Sequence, residues 1–155
     1  MIRFPMIRFP IPSSAGSLGT SALAAAAVLA ATLGTAAPAA ADSCWNHNGS
    51  IMRLKADGSS RAFLYERPRG VLARAGVRRG TLLFDGVKRG NAYEGMARTF
   101  SRFCPGNPNA YSVSGPVSAD QLRVTLVGTR DAYERCEYTG NVVTDTLVFT
   151  YAYDC

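Results

Sequence analysis

Short runs of alternating apolar and polar residues dominate the chain from residue 50 onward, and this period of two is typical of half-buried β-strands. In residues 50–56, Met52 and Leu54 fall on one side of a predicted strand, and Arg53 and Lys55 fall on the other. Turn-forming residues separate the runs. Seven strands are predicted in this way, at residues 50–56, 61–66, 81–87, 92–100, 110–118, 121–128 and 146–155.

Short turns join successive strands, such as DGSS at residues 57–60 and KRGN at residues 88–91, and they predict antiparallel hairpins. Between the first two hairpins, residues 70–75 allow one short helix at most. About seven strands in one small domain predict an all-β fold, either a small antiparallel β-barrel or a two-sheet sandwich. Gly86 and Gly95 face each other across the second hairpin, which indicates a strong bend or close backbone packing.

The first 41 residues have the pattern of a secretory signal peptide. Arg3 and Arg8 give a basic start, residues 21–37 form an apolar run of small residues, and three alanines at 39–41 supply a cleavage site. The apolar run is shorter than the ~20 residues that a membrane span needs. We therefore expect a signal peptide at residues 1–41, a single domain at residues 42–155, and a periplasmic or secreted protein without stable membrane insertion.

All four cysteines lie in the expected exported domain, and an even number there predicts two disulfides. In a hairpin that turns at Asp120, residues whose numbers add up to 240 face each other, and Cys104 and Cys136 meet this condition. Cys44 is then left to pair with Cys155 and to tie the two ends of the domain. Cys155 falls on the inward face of the last predicted strand, so we expect it to be buried.

Basic residues are concentrated in residues 53–102, which carry twelve basic and four acidic side chains, whereas residues 103–155 carry three and six. The densest basic segment is residues 67–80, called the basic loop below. Its arginines are Arg67, Arg69, Arg74, Arg78 and Arg79. Because guanidinium groups suit carboxylate and phosphate oxygens, the loop is a candidate contact surface for an anionic envelope component or protein. The alternative is a solvated connecting loop; the expected export argues against nucleic acid.

Cys44 lies three residues before His47, the only histidine of the chain. A Cys–His nucleophile needs a free thiolate, and a zinc site needs three or four ligands, so the expected disulfides argue against both. We expect no metal and no other cofactor. In the interpretation that remains, Cys44 anchors the start of the domain, Trp45 covers the edge of the core, and residues 46–49 turn the chain into its first strand.

The signatures of common enzyme classes are missing, including Gly-x-Ser-x-Gly and a phosphate-binding loop. Glu66, Glu94, Glu134 and Glu137 could serve a hydrolase, but no pair of them stands out. We therefore expect a non-catalytic binding module of the periplasm or cell envelope. An inhibitor of a hydrolase, such as lysozyme or a protease, and a small carboxylate-dependent hydrolase are the alternatives.

Three segments carry a resemblance to known proteins: CWNHNGS at residues 44–50, GTLLFDG at residues 80–86 and LVFTY at residues 147–151. On these segments the chain resembles a group of uncharacterised exported proteins of rhizobia-like alphaproteobacteria. It is also similar to a β module appended to some bacterial caspase-like proteins. The resemblance implies a free-standing domain and brings no activity. A weaker similarity links the chain to small periplasmic lysozyme inhibitors, whose Ser-x-Ser-Gly-x-x-Tyr motif is missing here.

Overall fold

The computed structural model describes residues 42–155, which form a closed barrel of eight antiparallel strands. The strands are β1 (Ser43–His47), β2 (Ser50–Asp57), β3 (Ser60–Arg67), β4 (Leu82–Arg89), β5 (Ala92–Thr99), β6 (Asn109–Pro116), β7 (Arg123–Glu134) and β8 (Glu137–Asp154). Each strand pairs with its neighbours in sequence, and β1 pairs with β8 to close the ring. One short 3-10 helix, Gly70–Ala75, lies between β3 and β4. The predicted signal peptide lies outside the described residues.

The structure has eight strands, so the prediction of about seven is wrong by one. The additional strand is β1, whose last two residues, Asn46 and His47, the sequence analysis assigned to a turn. The turn itself is shorter: only Asn48 and Gly49 separate β1 from β2, and their φ angles of 46° and 76° are the left-handed values that two-residue hairpins require. β1 is only five residues long, too short for its alternation to stand out.

The hairpin of β7 and β8 is longer than the sequence pattern predicts. The pattern ends β7 at residue 128 and begins β8 at residue 146, whereas the two strands pair as far as Glu134 and Glu137. We call residues 129–145 the arm. Most side chains of the arm are exposed, so no apolar alternation marks it. Its tip is a tight turn in which Arg135 and Cys136 have φ angles of 46° and 73°.

Aromatic side chains form the centre of the barrel. The rings of Phe63 and Phe149 stack in parallel with their centroids 3.9 Å apart, and Phe84 and Trp45 pack against Phe63 at 6.3 and 5.8 Å. Burying one such side chain is favourable by about 1.5–3 kcal/mol. Because these residues come from β3, β8, β4 and β1, the cluster connects strands on both sides of the closure.

β4 and β5 approach each other closely where Gly86 pairs with Gly95, as the sequence predicts. A Cβ atom on Gly95 would overlap the carbonyl oxygen of Asp85 and lie 2.6 Å from the Cα atom of Gly86. A side chain therefore cannot be added at this position unless the backbone moves.

Replacing Gly95 with alanine is expected to lower the free energy of unfolding by about 1–3 kcal/mol, because overpacking displaces the backbone. Urea denaturation, followed by the fluorescence of Trp45, measures this loss. Gly70→Ala is the matched control, since a Cβ atom there meets nothing within 4 Å. That control should leave stability unchanged or raise it by about 0.4–1 kcal/mol. Equal losses in the two variants would contradict the role of the close approach.

The two disulfides join Cys44 to Cys155 and Cys104 to Cys136, the pairs that the sequence analysis proposed. The register of the β6–β7 hairpin differs by one from the predicted register, because the numbers of the paired residues Ser114 and Val127 add up to 241 and not to 240. The shift does not affect the second bridge, since its cysteines lie in the loop before β6 and in the turn of the arm.

The expectation that Cys155 is buried is wrong, because Cys155 is exposed while its partner Cys44 is 2% exposed. A bulge between β1 and β8 pairs Cys44 with Tyr153 but Trp45 with Tyr151. The inward alternation of β8 is interrupted at the bulge, so the residues after Tyr151 leave the core.

Both bridges should contribute strongly to stability. In the chain-entropy model, removal of Cys44–Cys155 as C44A/C155A should lower the free energy of unfolding by about 5 kcal/mol. Removal of Cys104–Cys136 as C104A/C136A should cost about 4 kcal/mol, because this bridge closes a segment of 32 residues, whereas Cys44–Cys155 closes one of 111. Urea titration of both variants measures the difference, and a larger loss in C104A/C136A would contradict this ranking.

Candidate functional site

Cys44 and His47 do not form a common site. Cys44 is held in its disulfide, and His47 points into the barrel, where its ring stacks on Phe149 at 4.6 Å. The Nδ1 atom of His47 lies 2.9 Å from the carbonyl oxygen of Val148 and donates to it in the neutral ring. Burial lowers the pKa of His47, the bond to Val148 partly offsets this, and the charge of Arg69 lowers the pKa further.

The buried, neutral state of His47 should make stability depend on pH. The unfolded chain takes up a proton near the ordinary pKa of 6.5, whereas the folded protein does so only at lower pH. Stability is therefore lost as the pH falls from about 6.5 toward the lowered pKa. Between about pH 7.5 and about pH 5.5, the free energy of unfolding of the wild-type protein should fall more than that of His47→Gln. Parallel urea titrations test this, and equal decreases would contradict it.

Two arginines of the basic loop are used within the fold. Arg78 donates hydrogen bonds to the carbonyl oxygens of Ala73 at 2.9 Å and Val77 at 3.0 Å. Arg79 forms an ion pair with Glu66 on β3, with 2.5 Å between Nη2 and Oε1. These contacts constrain the loop, although both side chains remain exposed, with 70% of the Arg79 side chain accessible.

The other three arginines, Arg67, Arg69 and Arg74, are exposed like Arg78 and Arg79, but their side chains make no hydrogen bond or ion pair within residues 42–155. Arg69 lines a cavity at one end of the barrel. Its guanidinium group is close enough to His47 and Tyr65 that its charge acts to lower the pKa of both. Of these three arginines, Arg69 lies at the barrel opening, and Arg67 and Arg74 lie elsewhere on the surface.

The cavity at this end has a volume of about 360 Å³, and we call it the mouth cavity. It lies where β1, β3 and β5 end and where β6 begins, and the middle parts of β7 and β8 complete its wall. Apolar groups such as Leu72 and Phe100 line part of it. Its main polar residues are His47, Tyr65, Arg69, Tyr111, Arg130 and Asp145.

Two buried tyrosines face each other across the mouth cavity. Tyr65 and Tyr111 are 5% and 6% exposed. Burial raises the pKa of Tyr65 to about 12, against the effect of the Arg69 charge. Burial also raises the pKa of Tyr111, and the charge of the Asp145 carboxylate adds to this. Both hydroxyl groups are therefore protonated at neutral pH; that of Tyr111 is directed to the Asp145 carboxylate, and that of Tyr65 is available as a hydrogen-bond donor.

Arg130 and Asp145 form an ion pair beside the tyrosines. Their Nε and Oδ2 atoms are 2.5 Å apart, and each side chain is about one-quarter exposed. Both residues continue the inward-facing rows of β7 and β8 beyond the apolar core. Because the pair is internally neutral, it adds hydrogen-bonding groups to the cavity without adding net charge.

A second cavity of about 350 Å³ adjoins the first. It lies between the arm and the loop at residues 100–108, next to the Cys104–Cys136 bridge. Thr99, Phe100 and Arg130 line both cavities. The bridge therefore ties together the two segments that border the mouth cavity on this side.

The carboxylates that the sequence analysis considered for catalysis lie at three separate places on the barrel surface. Glu66 accepts hydrogen bonds from Arg53 and Arg79; burial would raise its pKa, but these contacts outweigh burial and lower the pKa. Glu94 pairs with Arg89 on the surface. Glu134 and Glu137 face each other at the exposed tip of the arm.

No group of three or more His, Cys, Asp or Glu residues in the described part of the chain is arranged to hold a metal ion. Among residues 42–155, no helix is long and apolar enough to span a membrane.

Sequence reasoning identified Arg69 but missed Arg130 and Asp145. A usable signal was present: Val124, Leu126, residue 128 and Arg130 continue one inward-facing row at a spacing of two. Following the period past the last apolar residue would have placed Arg130 at the rim of the barrel.

Comparisons of the chain with protein-family models, with curated proteins and with solved structures find no match. The resemblance to exported alphaproteobacterial proteins stays a prediction.

Proposed function

We propose that this protein is an exported, non-catalytic binding module of the periplasm or cell envelope that contacts an anionic partner through the basic loop. The observation that carries the proposal is that the loop's arginines differ in the contacts that their side chains make. All five side chains are exposed, but Arg78 bonds to the loop's own backbone and Arg79 pairs with Glu66, whereas Arg67, Arg69 and Arg74 make no side-chain hydrogen bond or ion pair within residues 42–155. A loop with a fixed shape can present charge to a partner with less loss of conformational entropy on binding.

The two disulfides support the location in the periplasm or cell envelope that this proposal includes. Disulfides form and persist in oxidising environments, and both bridges here stabilise a small β domain. The predicted signal peptide supplies the route to such an environment.

The proposal predicts binding that weakens steeply with salt, because exposed charges are screened over about 10 Å at 0.1 M ionic strength. Suitable probes are polygalacturonate, vesicles containing anionic phospholipid, and polyglutamate, with dextran as an uncharged control. R67Q/R74Q should lower the affinity for the bound probe by about tenfold. Surface plasmon resonance at several salt concentrations provides the measurement.

The matched control is K55Q/R123Q, which removes the same charge from exposed positions outside the basic loop. It should retain most of the affinity. Binding that does not depend on salt, equal losses in the two double variants, or no binding to any of the three polyanions would contradict the proposal.

A further inference from the structure

We propose that the mouth cavity binds one sugar acid, a small hydroxylated molecule with a single carboxylate. The carboxylate would contact Arg69, and hydroxyl groups of the ligand would meet the tyrosines beside it. If the sugar acid is the end of a polysaccharide, the inference rests on the function proposed above, because the rest of the polysaccharide would contact the basic loop. If it is a free sugar acid, the inference does not depend on that contact.

The Tyr65 hydroxyl is the first observation. Tyr65 is 95% buried, yet its hydroxyl makes no hydrogen bond to the residues that the structure describes. Within residues 42–155, no fully buried side-chain oxygen lacks a partner, so this hydroxyl is open to the cavity. A hydroxyl group at the wall of the cavity without a partner in the chain is left to bond to water or to a ligand.

The charge of the cavity is the second observation. Asp145 neutralises Arg130 at 2.5 Å, and Asp85 likewise neutralises Arg98. His47 is held neutral by burial. Arg69 is left as the uncompensated charge of the cavity wall, which therefore suits a ligand with one negative charge.

A carboxylate fits this arrangement better than a phosphate. A phosphate monoester carries close to two negative charges at neutral pH and would require a second uncompensated cation. A single carboxylate can accept two parallel hydrogen bonds from the Arg69 guanidinium, the geometry that arginine favours.

The rest of the wall indicates a hydroxylated ligand. Tyr65, Tyr111, Asn48 and Thr99 offer hydrogen-bonding groups around the cavity, and Phe100 offers an apolar surface. This mixture suits a sugar ring, which has polar edges and less polar faces. A volume of about 360 Å³ is at the lower end of small-molecule pockets and accommodates one such ring.

Isothermal titration calorimetry with glucuronate, galacturonate and mannuronate tests the inference. At least one of these acids should bind, and the corresponding neutral sugar should bind at least tenfold more weakly. Arg69→Gln should weaken binding roughly tenfold to a hundredfold, and Tyr65→Phe roughly threefold to tenfold. Arg123→Gln, an exposed substitution outside the cavity, is the control and should bind normally. Circular dichroism checks that each variant is folded.

The outcomes separate the two proposals. If no sugar acid binds, or if neutral sugars bind equally well, the mouth cavity is not a sugar-acid site, even where polygalacturonate still binds through Arg67 and Arg74. If the single sugar acids bind but polygalacturonate and trigalacturonate do not, the ligand is a free sugar acid, and the contact of the basic loop with a polysaccharide fails. If trigalacturonate binds more tightly than the single unit and R67Q/R74Q removes only this gain, the ligand is a chain end.

Discussion

Closure of the ring between β1 and β8 is the interaction on which the rest of the structure depends. Backbone pairing, the Cys44–Cys155 bridge and the side chain of Trp45 all act at this seam. Trp45 contacts Phe63 on β3 and Tyr151 on β8, with both pairs of ring centroids 5.8 Å apart. An open sheet of the same strands would leave two unpaired edges and expose the aromatic centre. The mouth cavity exists only because these strands end around a common rim.

The general architecture could be predicted because most strands bury one face and expose the other. Alternation fails where that condition is not met. β1 is too short, although Trp45 and His47 do alternate inward, and most side chains of the arm are exposed. The bulge beside Cys44 changes the inward face of β8 after Tyr151, and no residue type in that segment indicates that a bulge is present. Local pattern therefore determined the strands, while closure and register depended on tertiary contacts.

The candidate site was less accessible to sequence reasoning than the fold. Charge density drew attention to the segment that contains Arg69. It could not distinguish this residue from Arg79, because the ion pair with Glu66 depends on the packing of the loop against β3. Arg130 and Asp145 look like ordinary surface residues of a hairpin until the barrel places them on its inner rim. The period of two places Arg130 on the inward row, but its pairing with Asp145 depends on the register of β7 and β8.

The order of the strands also bears on how the protein assembles. In the described barrel, seven pairings join strands that follow each other in sequence, and one pairing joins β1 to β8. The hairpins can form early, whereas the ring closes only when β8 pairs with β1. These strands are about a hundred residues apart, as the separation of 111 between Cys44 and Cys155 illustrates. Until β8 emerges during synthesis, β1 retains a free edge that can pair with other chains. A holding chaperone that covers this edge would protect the nascent protein against aggregation.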